Sequence, residues 1–467
     1  MKLHVRPPRQ QSDRRGAMSS PKPASRDWWD APLPRAEDFS GLCFAVGNAV
    51  RCGPSGDLDG GGRGLFAVNN IAKGSTIFEE SPVLLVQDPR NRAVVRACGC
   101  CQALLPPETS GDGADGTTTV PESAPTVHCA WGCGVPYCDE ACAEAHVSEL
   151  GHLVFCVGPL TSWDHPIAAL RMAAAKDDEN DGLLAVLTEA AARLVHAAAR
   201  EDEEGEEGKG DEGDEKQDAA GDGVCMTQAL TRVDLHWFVR GAWWDTQPAD
   251  STLSSARKER CAEIATLLAA ALAAAVEARA TRFPKLLLGR SREQGKERDE
   301  REEGKYAETD TKRVNAVVNA LSAPRGVAEL ASLVTRNQVA VVVERAGVKN
   351  CVFPDQSSVL PEQPSAYDGA ALFPLTCLMN HSCEPNSEVR FDADERCFFF
   401  LAKEKGQKSA PSPKARIVAT RDIVTGDELT HAYVDVTRMA QLRAATLACF
   451  GFKCDCGRCA RARGGAR

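Results

Sequence analysis

Positive charge is not in surplus in this chain: 55 Lys and Arg face 66 Asp and Glu, a net charge of -11 over 467 residues. A general nucleic-acid binder needs a cationic footprint, so that role is excluded, although a local basic patch is not. A basic recognition helix is also missing, and Lys and Arg are sparse around the main cysteine block, so direct nucleic-acid contact is not expected. Residues Met1–Arg26 are basic and polar without the apolar stretch of a secretory leader. They read as a disordered tail, with an organelle transit peptide as the alternative. The longest apolar helix-like run, Ile264–Val276, is mostly alanine and too short to span a bilayer, so no membrane partner is expected. Internal repeats are absent. Tyrosine is scarce, with 4 in the whole chain, which makes one placed after a strand-like run worth noting even though a single tyrosine is usually core.

Cysteine, in contrast, is plentiful, with 20 residues. A disulfide scaffold is usually short and secreted. In a long chain with no leader signal, the cysteines read as thiols and metal ligands in a reducing compartment.

The chain reads in blocks. Residues 1–38 are the tail. From Gly41, Leu42–Val50 is strand-like and Gly56–Gly64 is a glycine-rich turn; Leu65–Val68 and Thr76–Val86 are further strands around the turn Ala72-Lys73-Gly74. Residues 98–156 are cysteine-dense and interrupted by a flexible loop, Pro106–Pro125. Helical spacing follows in Leu183–Ala199 and Cys261–Ala280. The charged segments Glu201–Lys216 and Ser291–Arg313 read as solvated, disordered insertions. A helix from Val327 leads into a β-branched strand at Asn337. Short strands follow at Glu388–Phe391, Cys397–Ala402 and Ala415–Ala419; Asp422–Leu429 is a turn and strand start, and Arg438–Ala448 a final helix. Short strands at both ends around a helical block predict an α+β fold.

Four ligand pairs stand in the first cysteine block: Cys98-x2-Cys101, Cys129-x3-Cys133, Cys138-x3-Cys142 and His152-x3-Cys156. Structural zinc takes four N/S ligands in a tetrahedron, supplied as close pairs, so these eight positions suit two ions. Cys100 competes locally with Cys101, and His146 with His152. A second cluster, Cys454-x-Cys456-x2-Cys459, is one ligand short of a closed site.

The segment Cys133-Gly-Val-Pro-Tyr-Cys138-Asp-Glu-Ala-Cys142, continued by His152-Leu-Val-Phe-Cys156, resembles the MYND-type zinc finger. That resemblance implies one ion held by Cys98, Cys101, Cys138 and Cys142 and another by Cys129, Cys133, His152 and Cys156. The gaps from Cys101 to Cys129 and from Cys142 to His152 are longer than the family's. Two further segments, Met379-Asn380-His381-Ser382-Cys383-Glu384-Pro385-Asn386 and Gly426-Asp-Glu-Leu-Thr-His-Ala-Tyr433, resemble the SET domain. Their order with the finger resembles the SET-and-MYND family of protein lysine methyltransferases. The family implies a SET-domain β-fold of short strands split by the finger (98–156) and a helical insert (157–336). Its two parts are then 39–95 and 337–436, with a zinc-binding post-SET segment at 437–467.

The same resemblance assigns roles. Tyr433 is the catalytic tyrosine. Gly62, Arg63, Gly64, Asn337, Asn380, His381 and Phe452 contact S-adenosyl-L-methionine. Cys383 completes a third zinc site with Cys454, Cys456 and Cys459. A protein lysine, in a histone tail or a non-histone protein, is the implied substrate, and a proline-containing peptide the implied partner of the finger. With the reducing-compartment reading, the location implied is the nucleus and/or cytoplasm. Gly61 replaces a basic residue often found before the glycine pair, and Cys377 a small hydroxyl residue often found before the signature; both thin the cofactor contacts. The chain stops soon after the last cluster, which implies a more open substrate cleft than in members with a long helical C-terminal domain. The alternative reading is an inactive adaptor that uses only the finger.

Overall fold

A computed structural model of the chain describes residues 35–56, 62–92, 95–105, 126–160, 162–177, 182–207, 238, 242–246, 251–282, 314–343, 367–391 and 413–464, and the structural statements concern those residues. They mix helix and short strand, as the α+β expectation requires.

Three small sheets form the strand-rich part. In the first, β1 (Val50–Pro54), β2 (Arg63–Ala67), β12 (Glu428–His431) and β9 (Asn380–His381) lie side by side in that order. The first two pairings are antiparallel; β12 and β9 are parallel, with Thr430 opposite Asn380 and His431 opposite His381. The second sheet has the order β10 (Ser387–Arg390), β11 (Ala415–Ala419), β3 (Thr76–Glu80). The third is β4 (Leu84–Gln87), β8 (Tyr367–Leu372), β7 (Gln338–Val343). Period-two alternation sends Leu65, Phe78, Ala371, Ile417 and Leu429 into one shared core. A fourth pair, β5 (Val127–His128) with β6 (Pro136–Tyr137), lies inside the cysteine block.

The helical part has its own core. α3 (Pro166–Ala175), α4 (Leu183–Glu207), α5 (Thr252–Arg282) and α6 (Pro324–Asn337) bury Leu170, Leu187, Leu268, Leu272 and Leu333 against one another. α3 starts with Pro166 at a position where no backbone N–H is needed, and the His165 ring nitrogen accepts from Ile167 N at 3.2 Å. Arg193 of α4 joins the two parts. Its Nη1 donates to the Val83 carbonyl at 3.1 Å while Nε donates to Glu189 at 3.0 Å.

Five readings of the sequence differ from the structure. The helix expected at Arg438–Ala448 is not the final one, because a further helix, Gly457–Gly464, follows it. Leu42–Val50 is not a strand: α1 (Ser40–Ala45) occupies its first half, and Gly47 and Asn48, both at positive φ, turn the chain into β1. A short apolar run is ambiguous between helix and strand, and here Phe39 and Cys43, four apart, share the buried face. The backbone of α4 continues as helix through Glu207, into the acidic segment expected to be disordered, because Ala, Arg and Glu are all good helix formers. The helix expected from Cys261 begins at Thr252 for the same reason. By length and composition Thr252–Ala278 could therefore cross a bilayer, contrary to the run thought too short; its Cys261, Ile264, Leu268 and Leu272 pack into the helical core. The loop 106–125, the strand Cys397–Ala402, the segment Ser291–Arg313 and Gly61 lie outside the described residues, as does most of the tail.

Candidate functional site

β9 brings Asn380 and His381 against β12, and the side chains there are tied down from several directions. Asn380 Nδ2 donates to the Arg63 carbonyl at 2.9 Å and to Glu428 Oε1 at 2.6 Å. The other Glu428 oxygen accepts from Ser55 Oγ at 3.0 Å. Gly64 is packed onto this knot: a Cβ there would meet the Glu428 carboxylate and push it from its place beside Asn380. Asn386 is buried and spans the same strand. Its Nδ2 donates to the Glu428 carbonyl at 2.8 Å, and its Oδ1 accepts from Thr430 N at 2.8 Å.

His381 has a fixed tautomer. The Tyr433 backbone N–H donates to Nδ1 at 3.0 Å, so the ring proton sits on Nε2, which points at Cys383 Sγ, 3.3 Å away. Burial, with the Arg443 charge adding to it, holds the imidazole down at about 4, so it is neutral near pH 7. The Tyr433 hydroxyl donates to the Met379 carbonyl at 2.7 Å. Burial pushes the phenol well above its ordinary range, so it remains a donor rather than a base. Around Tyr433 stand the rings of His431, Phe450, His381 and Phe452, at centroid distances of 4.9, 5.3, 5.4 and 6.1 Å. Tyr433, His381 and Phe452 are half-buried, so this aromatic lip is accessible.

The turn before β9 is fixed by a residue that sequence reasoning passed over. Glu80, at the end of β3, accepts from Leu375 N at 2.7 Å and from Thr376 N and Thr376 Oγ1 at 2.8 Å each. These are the orphan donors of the short 3-10 turn Thr376–Leu378, which runs directly into Met379 and Asn380. Cys377 on that turn donates to the Asn337 carbonyl at 2.7 Å.

Three groups of sulfur and nitrogen atoms converge, each with its ligand atoms within 4.8 Å of one another. One is Cys98, Cys101, Cys138 and Cys142; the second Cys129, Cys133, His152 and Cys156; the third Cys383, Cys454, Cys456 and Cys459. Four such atoms suit a tetrahedral zinc ion. α2 (Glu140–Ser148) presents Cys142 from its first turn, capped by Asp139, whose Oδ1 accepts from Cys142 N at 2.8 Å. The hydrogen bond from Cys156 pulls the Cys133 thiol well below its ordinary range against the opposing effect of burial, while Cys156 itself is pushed up. Cys100 is buried outside these groups. His146 is also outside them; its Nδ1 bonds the Tyr137 hydroxyl at 3.1 Å.

Among the residues expected to hold a cofactor, the structure gathers Gly64, Asn380, His381 and Phe452 around Tyr433 and the Glu428 knot, and Gly62 accepts from Ser55 N at 2.8 Å on the adjoining strand. The side chains of two others turn elsewhere. The Arg63 guanidinium stacks over the Phe39 ring at 5.1 Å, and the Asn337 amide donates back to Leu333 O at 2.7 Å within α6. Glu428, Ser55, Glu80, Phe450 and Arg443 were missed. Glu428 belongs to a segment singled out for Tyr433, but its partners lie far away in sequence and no local pattern marks it.

A SET domain family model matches residues 62–434. Histone-lysine N-methyltransferase ATXR2 of Arabidopsis thaliana is 35% identical over 98 residues, 21% of this chain and 18% of that protein. Histone-lysine N-methyltransferase SMYD3 of Homo sapiens is 33% identical over 92 residues, 20% of this chain and 17% of that protein. A SET and MYND domain-containing protein of Dictyostelium discoideum is 29% identical over 107 residues, 23% and 25% of the two chains. The chain thus spans a quarter or less of each of these relatives.

Proposed function

The chain belongs to the SET domain family, and from that premise we propose that it is a SET-and-MYND member, an S-adenosyl-L-methionine-dependent protein lysine methyltransferase with a MYND-type finger. In this reading residues 39–95 and 337–436 are the two parts of the SET domain, 98–156 the finger, 157–336 a helical insert and 437–467 a post-SET segment. The observation that carries it is Tyr433, its hydroxyl pinned on the Met379 carbonyl at 2.7 Å beside Asn380, His381 and Phe452.

The residues fit the cofactor. The half-buried rings around Tyr433 suit a cation. When bound, S-adenosyl-L-methionine supplies an electrophilic methyl group on a sulfonium centre. Gly62, Arg63 and Gly64 would line it with backbone, and Asn380 and His381 would hold its polar groups; Asn337, whose amide bonds back to Leu333, would only brace the turn through its carbonyl. The donor sets fit zinc in three sites, the third through Cys383.

A lysine side chain in water titrates near about 10.4 and must lose its proton to act as a nucleophile. Enclosure among Tyr433, Phe450 and Phe452 disfavours the ammonium form, and the proton leaves to solvent through the accessible lip. Tyr433 keeps its proton and fixes the hydroxyl oxygen, whose free lone pairs then orient the amine. The task left to the protein is alignment, so no carboxylate pair is needed. The substrate is a protein lysine, in a histone tail or elsewhere, met in the nucleus and/or cytoplasm; the finger takes a proline-containing peptide.

Methylation of a peptide array, with calorimetry of cofactor binding, tests this reading. Tyr433→Phe is expected to cut turnover by about 100-fold, the cost of lost alignment, while the cofactor still binds. Equal turnover in both proteins, or no cofactor binding by the wild type, overturns it.

A further inference from the structure

Arg443 lies on α7 (Ala440–Ala448) and is only 3% exposed. An arginine cannot shed its proton, so burial demands a compensating charge. Among the described residues no carboxylate forms an ion pair with it; the ion pairs of this region join Arg438 to Asp435, Arg461 to Glu384 and Arg463 to Asp455. The guanidinium faces sulfur instead. Its Nε donates to Cys383 Sγ at 3.3 Å and its Nη2 reaches Cys459 Sγ at 3.9 Å, while Nη1 donates to the Arg438 carbonyl. Four neutral thiols would leave this cation unpaired in the interior. Four thiolates around a divalent ion carry two surplus negative charges, which is the charge the site needs.

We infer that Arg443 is the counter-charge of the third metal cluster and a positioning residue for Cys383, acting on the ligands from outside the ligand set. The inference rests on the zinc reading of that cluster. The fork bridges the segment carrying Asn380 and His381 to α8 (Gly457–Gly464), which carries Cys459. Cys383 Sγ thus takes two N–H donors, one from Arg443 and one from His381 Nε2. Each such bond disperses thiolate charge and makes the sulfur harder to protonate and release. Cys456 and Cys459 are half-buried, unlike Cys98, Cys101, Cys138 and Cys142 of the first group and like Cys133 and His152 of the second.

The full-length, zinc-loaded chain is mixed with the chromophoric chelator 4-(2-pyridylazo)resorcinol, and the ions are counted as they leave. The wild type is expected to release three per chain, one of them in its own phase. Arg443→Gln should speed that phase by about 10–100-fold, the usual effect of losing an outer-shell partner, and leave the other two unchanged. Arg443→Lys, with charge but no planar fork, should fall between. Wild-type rates for every ion in Arg443→Gln overturn the inference. A wild type that holds two ions instead overturns the zinc reading of the third cluster, a separate failure. Thermal melting serves where a variant folds poorly. Arg443→Met should lower the melting temperature of the wild type by more than that of a Cys459→Ser chain, where Nη2 has already lost its sulfur and the cluster one negative charge. Equal loss in both backgrounds means packing alone and also overturns the inference.

Discussion

Glu80 takes three hydrogen bonds from a single turn, yet burial outweighs them and pushes its carboxyl up to about 7. The unfolded value is near about 4.3. A folded value above the unfolded one means that the contribution of Glu80 to stability is fully present below the unfolded value and lost as pH rises through about 7. Glu80→Gln keeps the shape without the titration. Between pH 5 and pH 8 the stability of the wild type relative to Glu80→Gln should therefore fall by up to about 3 kcal/mol. Paired denaturation curves across that range check it, and a constant difference would mean that Glu80 stays ionised throughout. Nothing in Glu79-Glu80 distinguishes the exposed carboxylate from the buried one; the strand pattern does so only once the partner strand β11 is known.

At the scale of elements, β12 is held by two residues of opposite character. Asn386 supplies bonds to it that water cannot replace, so Asn386→Ala should cost about 2–3 kcal/mol by stranding the Thr430 N–H and the Glu428 carbonyl. The loss should appear as a lower melting temperature. Gly64 contributes by what it lacks: in Gly64→Ala the Cβ collides with Glu428 and displaces the Asn380 amide. Overpacking of about 1–3 kcal/mol should weaken cofactor binding by about 10-fold or more in calorimetry; unchanged affinity would mean the knot is not part of the cofactor site. The parts of this region legible in sequence were the local ones. Cysteine pairs at fixed spacing and the run Asn380-His381-Ser382-Cys383 announce themselves within a few residues. The pairing of β9 with β12, the Ser55–Glu428 bond and the approach of Arg443 to Cys383 join segments whose separation leaves no local mark. Leu42–Val50 failed for another reason, since its burial pattern fits either period.

In the molecule as a whole, stability comes from different sources in different places. The helical part has an apolar core of leucine, valine and alanine, while much of the buried cluster in the cysteine block is cysteine. Structural zinc contributes about 10 kcal/mol or more to small domains of this kind. Chelation should therefore expose the amides of 95–105 and 126–160 to hydrogen exchange while α4 and α5 keep their protection. Loss of protection in both regions together would mean that finger and helical block unfold as one unit.

The bond between Ser55 and Glu428 joins residues 373 apart in sequence. A chain emerging from the ribosome makes β1 and β2 and then must wait, because the strand that covers β2 is synthesised only after the cysteine block and the helices. Contacts of such long range are slow to form and leave an unpaired edge meanwhile. The cysteine block and the helices need no such delay. The two cysteine groups within residues 98–156 can thus come together before β12 is made, whereas the group of Cys383, Cys454, Cys456 and Cys459 cannot.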